Sequence, residues 1–142
     1  MKLAAKTEYA CLAMLELALR YDTAEPVRIR TIADEHEIPS RFLVQILLQL
    51  KGAGFVASTR GASGGYQLIK PPEEISLGAV MRVIEGDDGE ITCASAEHSA
   101  AARVLVGAWR DVADAQREAL DGISLEDLVS RIKRQSENMF YI

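Results

Sequence analysis

The chain has 142 residues, 49% of them apolar and 26% charged, with a formal net charge of −5. This is the balance of a globular domain with a real core and one or two appended helices, and it excludes a disordered chain. No apolar run approaches the length of a bilayer span, no charged-then-apolar leader opens the chain, and two cysteines exclude a disulfide framework, so a cytoplasmic protein without membrane contact is expected.

Charge is unevenly placed. Residues 1–72 hold nine Lys or Arg against seven Asp or Glu, a balance of +2. Residues 73–142 hold seven against fourteen, a balance of −7. An anionic partner should therefore meet the first part and be repelled by the second. Pro71 and Pro72 cannot continue a strand ladder, and they mark a boundary between a region 1–72 and a region 73–142.

A first helix is predicted over 7–21, with Leu12, Leu15 and Leu19 in a broad apolar band that reads as core. Lys2 and Lys6 precede it. After a polar loop, a short helix over 29–36 carries Ile29, Ile32 and Ala33 as its apolar stripe. The tight linker Glu37-Ile38-Pro39 leads into a helix over 39–51, where Leu43, Ile46, Leu47 and Leu50 fall on one face. Pro39 suits a first turn, and Gly52 and Gly54 suit the end. The opposite face carries Ser40, Arg41, Val44, Gln45, Leu48 and Gln49. Arg and Gln can make two-point hydrogen bonds to base edges, and Val can touch a thymine methyl. No acidic residue lies between Ser40 and Arg60.

Strand-like segments over 55–60 and 65–70 flank the tip Arg60-Gly61-Ala62-Ser63-Gly64-Gly65-Tyr66. Its glycines leave no side chains in the way of a close partner, and Arg60 at its base can reach a narrow, electronegative groove. Helix, tight turn, helix and glycine-tipped hairpin is the order of a winged helix-turn-helix, whose second helix enters the major groove. The same order also describes helical and strand hairpins with no nucleic acid involved.

Further on, Ser76 should cap a helix ending near Glu85, and 86–89 should break it. A long helix is predicted over 99–120, closed by Gly122, with Leu105, Trp109, Val112, Gln116 and Ala119 on one stripe. Twenty-two residues make a helix roughly 33 Å long, more than a domain this small can cover, so a two-fold partner is expected along it. A last helix should start at Ser124, with Asp127 as its capping-box partner, and end near 135. The apolar tail Met139, Phe140, Tyr141 and Ile142 is expected to dock. The expected fold class is thus mainly α with a small β-wing: a winged helix-turn-helix domain plus a long dimerisation helix.

The stretches Ile38-Pro39-Ser40-Arg41-Phe42-Leu43, Gln45-Ile46-Leu47-Leu48-Gln49-Leu50 and Arg60-Gly61-Ala62-Ser63-Gly64-Gly65-Tyr66 resemble the Rrf2 family of bacterial winged helix-turn-helix transcription regulators. The opening Met1-Lys2-Leu3, the Tyr9-Ala10 pair and Trp109-Arg110-Asp111 fit as well, so the resemblance covers nearly the whole chain. It implies a homodimer built on the long helix, with two recognition helices in successive major grooves of a palindromic operator. It implies that Arg60 enters the minor groove and that Gln45 faces bases. The expected DNA-binding set is Ser40, Arg41, Phe42, Val44, Gln45 and Gln49 on the helix, and Arg60, Gly61, Ser63, Gly64, Gly65 and Tyr66 on the wing. Lys2 and Lys6 are expected at phosphates, and Leu105, Trp109, Val112 and Gln116 at the dimer contact. One departure matters: many relatives carry Glu where this chain has Val44, and only a carboxylate can accept from cytosine.

Many members of the family hold an iron–sulfur cluster through three cysteines before the long helix. Cys93 matches the first, but 94–106 contains none, so that ligand set is excluded and no cofactor is expected. A mixed-ligand iron–sulfur site would have to draw on Cys93, Glu8, His36 and His98. Cys93 as a lone thiol sensor, an unidentified effector and a partner protein are the other sources of a signal, while Cys11 reads as a buried, inert thiol. The expected function is a dimeric, sequence-specific DNA-binding regulator acting as a repressor. The alternative is a protein-interaction module that has lost DNA binding and works through its acidic half. No Ser-His-Asp pattern, phosphate loop or metal-ligand run suggests an enzyme.

Overall fold

The computed structural model describes residues 2–86 and 98–140. In chain order it contains α1 (Ala5–Leu19), α2 (Ile29–His36), α3 (Ser40–Gly52), β1 (Val56–Thr59), β2 (Gly65–Leu68), α4 (Leu77–Glu85), α5 (Ala100–Asp121) and α6 (Leu125–Phe140). Short 3-10 turns cover Tyr21–Thr23 and Pro72–Glu74. The two strands are antiparallel, with Val56 opposite Leu68 and Thr59 opposite Gly65. The architecture is the mainly helical one with a small wing that the sequence predicts. No helix among the described residues is long and apolar enough to cross a membrane.

The core is built around α1, whose Ala10, Ala13, Met14 and Leu17 are sealed from solvent. Ile32 and Ala33 of α2, the four-residue stripe of α3, and Val56 and Leu68 of the hairpin join it. So do Ile75, Val80, Leu125 and Val129, so the buried cluster runs on past Pro71-Pro72 into α4 and α6. Two backbone hydrogen bonds fasten that second half: Leu77 N–H donates to the Ile123 carbonyl at 2.9 Å, and Leu125 N–H to the Ile75 carbonyl at 2.8 Å. Ser76 and Ser99 cap α4 and α5, accepting from the N–H of Ala79 at 3.0 Å and of Ala102 at 3.1 Å. At α6 the expected capping box forms, with Asp127 N–H on Ser124 Oγ at 3.0 Å and Ser124 N–H on Asp127 Oδ2 at 2.9 Å. The Ser124 N–H holds the Asp127 carboxyl below its ordinary range, with the Ser124 hydroxyl helping.

The helix expected to stop near 135 continues as α6 to Phe140. Gln135 is followed by Ser, Glu, Asn and Met, with no Gly or Pro to break the ladder, so propagation wins over termination. Met139 is exposed on it and does not dock as expected. Tyr141 and Ile142 lie outside the described residues, as does the expected break at 87–89.

Two tight features position the elements that matter for function. Glu37 takes a left-handed conformation at φ 54°, and Ile38 N–H closes back onto the Ala33 carbonyl at 3.0 Å, turning α2 sharply into α3. Behind the wing, Val27 and Tyr66 exchange both backbone hydrogen bonds at 2.7 Å, so a loop residue pairs with β2 on its open side. Gly65 makes this pairing possible, and Gly64 lets the hairpin tip close on its own backbone. A Cβ on Gly64 would strike the Thr59 carbonyl oxygen, and one on Gly65 would lie 2.5 Å from the Val27 backbone. Backbone on both sides cannot swing away as a side chain could. Gly65→Ala is therefore expected to lower unfolding stability by about 2 kcal/mol. Gly52→Ala, which meets nothing within 4 Å, should stay within about 0.5 kcal/mol of the parent. Urea denaturation of the two variants compares them directly.

Candidate nucleic-acid interface

α3 is amphipathic in a way that fixes its orientation. Leu43, Ile46, Leu47 and Leu50 are fully buried, while Ser40, Arg41, Phe42, Val44, Gln45 and Leu48 face solvent. The guanidinium of Arg41 sits 5.0 Å from the Phe42 ring centre, and that ring lies 6.3 Å from Tyr9 of α1. Arg41 and Phe42 are thereby braced against the first helix. Gln49 is placed differently from the other expected contacts: it is half-buried, and its Oε1 is enclosed without a hydrogen-bond partner among the described residues. At the far end, Lys51 Nζ donates to Ser58 Oγ at 2.8 Å, tying α3 to β1.

The wing presents Arg60, Gly61, Ala62 and Ser63 to solvent. Gly64 is buried, and Gly65 and Tyr66 are half-buried against Val27, so these three shape the tip from behind. Lys2 is exposed and Lys6 half-buried near the start of α1. From Ile38 to Pro72 the chain has no acidic residue, and this stretch contains both α3 and the wing. Exposed Arg41 and Arg60 on a stretch of chain without acidic residues attract a phosphate backbone.

α5 has one buried residue, Val106. Val104, Leu105, Trp109 and Val112 are each at least half exposed. Gln116 is exposed on the same stripe. The end of α5 is held to α4 by Arg82 and Asp121, whose Nη1 and Oδ1 are 2.8 Å apart, and Gly78 leaves room for the Asp121 side chain.

The residues considered for a metal do not converge among the described ones. The His36 ring is committed to Glu16, with Nε2 3.1 Å from Oε1. A carboxylate only accepts, so Nε2 carries the donated proton. Glu16 is buried, and its other oxygen takes Arg20 Nε at 2.9 Å. His36 thus pins the end of α2 to α1. The sequence did carry a signal for this: Glu16 is a lone acid inside the apolar band of the first helix. Glu8 and His98 are exposed, and Cys93 lies outside the described residues. No group of three or more His, Cys, Asp or Glu able to hold a metal occurs among the described residues.

A helix pair joined by a tight turn, an outward-facing second helix and a hairpin docked beside it define a winged helix-turn-helix protein. Residues 3–131 match the family model of Rrf2, the iron-dependent transcriptional regulators. The chain belongs to the Rrf2 family, and it is a DNA-binding transcriptional regulator, not an enzyme. It is 35% identical to the HTH-type transcriptional regulator CymR of Bacillus subtilis, over 100% of both chains. It is 37% identical to IscR of Aliivibrio salmonicida, over 91% of this chain and 77% of that one. In structure it is similar to CymR (YrzC), the global cysteine regulator of B. subtilis, with a TM-score of 0.81, 34% identity, and 92% and 98% of the two chains covered. It is also similar to T. potens IscR, with a TM-score of 0.78, 32% identity, and 93% and 88% covered.

The iron dependence in the family description can be tested against the donors this chain has. With two cysteines in the sequence, His36 turned to Glu16, and Cys11 set in α1, the described residues do not fit a thiolate-held cluster. Burial pushes the Cys11 thiol up to about 11 from 9.0, and the nearby Glu85 carboxylate adds to the shift. The nucleophilic thiolate is therefore suppressed near neutrality in the folded state. Iodoacetamide at pH 8 is expected to leave Cys11 unmodified in the native protein and to alkylate it in denaturant, as read by peptide mass mapping. Cys11 is half-buried where the sequence suggests full burial, and rapid native labelling would show that this partial cover does not protect the thiol.

Proposed function

We propose that the protein is a homodimeric repressor that binds a palindromic operator. α3 lies in the major groove with Ser40, Arg41, Val44 and Gln45 toward base edges, and the wing carries Arg60 into the adjacent minor groove. Two copies pair along α5 through Leu105, Trp109 and Val112, which sets the distance between the two recognition helices. Lys2 and Lys6 add phosphate contacts. A signal that shifts the paired α5 helices changes that distance and so the operator affinity. As a reader of bacterial DNA, the protein acts in the cytoplasm.

The observation that supports this reading best is the joint exposure of the α3 face and the wing arginine on a stretch without acid from Ile38 to Pro72. The exposed apolar stripe of α5 supports the pairing, because a monomer gains nothing by showing Trp109 and three aliphatic neighbours to water.

An operator selected from random duplexes tests the reading. Arg60→Ala is expected to weaken binding about tenfold, the scale of losing one charged groove contact, and Gln45→Ala to change base preference. Unchanged affinity and preference in both variants would remove the interface. The pairing has its own readout, since Trp109 is the one tryptophan of the chain. Its emission should shift to the red on dilution as pairs dissociate, and Trp109→Glu should sediment as a monomer at concentrations where the parent is a dimer.

A further inference from the structure

Val44 and Leu48 are aliphatic residues on the outward face of α3, 40% and 55% exposed. They stand four residues apart, one helical turn, with Gln45 beside them and Arg41 one turn earlier on the same face. The core does not need them, because Leu43, Ile46, Leu47 and Leu50 already seal the other side. Phe42, the third exposed apolar residue of the helix, is engaged by Arg41 and Tyr9.

We propose that Val44 and Leu48 read the 5-methyl groups of two thymines in each operator half-site, with Gln45 on a neighbouring adenine. This rests on the operator-binding reading of α3 and adds the base chemistry that it selects. In the major groove only thymine shows an aliphatic group. The other base edges show donors and acceptors, and covering these with an alkyl side chain leaves them without partners. Gln completes the pattern, since its amide matches the adenine N6 and N7 pair. Four residues of helix rise span about 6 Å, and base pairs stack about 3.4 Å apart, so the two thymines lie within about two steps of each other. A protein occupant would suit Val and Leu equally. The basic residues on the same stretch of chain (Arg41, Lys51 and Arg60) and the absence of acid from Ile38 to Pro72 favour a polyanion.

The test changes the DNA before the protein. Each thymine of a selected operator is replaced singly by deoxyuridine, which removes the 5-methyl group and keeps base pairing. Two positions per half-site should each lose about fourfold in affinity, the worth of burying one methyl group. In Val44→Ala the penalty should vanish at one of these positions, and in Leu48→Ala at the other, a coupling that a change in duplex stiffness would not produce. Both side chains are exposed, so these variants keep the core. Tight binding with no deoxyuridine penalty at any position overturns the inference and leaves the operator reading standing. Penalties that appear but persist unchanged in both variants overturn it in the same way. If no sequence is enriched and the parent shows no salt-dependent DNA binding, the operator reading falls and the inference with it. If Val44→Ala and Leu48→Ala change the sedimenting mass of the free protein while deoxyuridine is neutral, the face is a protein contact and the inference is wrong.

Discussion

Four side chains decide how this molecule meets its surroundings. Leu43, Ile46, Leu47 and Leu50 are buried without remainder among α1, α4 and the neighbouring core residues. Each contributes about 1.5–3 kcal/mol on leaving water, so the stripe outweighs any capping or ion-pair term on the same helix several times over. Residues on a helix are set about 100° apart, so a one-residue rotation would expose part of the stripe and bury Gln45. The apolar stripe thereby fixes the angle at which Arg41, Val44, Gln45 and Leu48 look outward. The order of causes runs from packing to recognition.

The wing obeys a similar logic with backbone in place of side chains. A two-stranded hairpin alone is marginal in water. Here Val27 pairs on the open side of β2, Lys51 holds β1 to α3, and Val56 and Leu68 enter the core. Gly65 serves this docking, and Gly64 the close approach of the tip to Thr59. The tip residues left exposed are Arg60, Gly61, Ala62 and Ser63. Glu16 plays a comparable part for α2: one buried carboxylate accepts from both His36 and Arg20, and it joins α1 to the turn that precedes α3. A buried carboxylate costs free energy unless its lone pairs are taken up, and two charge-assisted partners meet that need.

Charge and apolar surface are unevenly distributed along the chain. The acid-free stretch carries α3 and the wing, and the acidic excess falls in the half with α4, α5 and α6. α5 retains one buried residue along 22, so its apolar stripe is unspent within a single chain. The fold itself is shared with CymR and IscR.

Much of the plan was legible in the residues because it is locally encoded. Apolar spacing alone places α2 at 29–36 and sets α3 within a residue at each end, and the capping serines Ser76 and Ser124 sit where short-range hydrogen bonding requires them. Glycine clustering marks the hairpin tip, and the order of elements with the wing motif indicates the family. The end of α6 was harder, since nothing after Gln135 stops a helix and nothing local announces how far it runs. Only the tertiary structure decided that Gly64 and Gly65 yield to backbone, that Val27 joins the wing, that His36 belongs to Glu16, that Gln49 is half-buried, and that the core continues through Ile75 and Leu125. The physical reason is common to all five. Each depends on atoms brought together by packing between elements, and no periodicity within one element records what the chain places beside it.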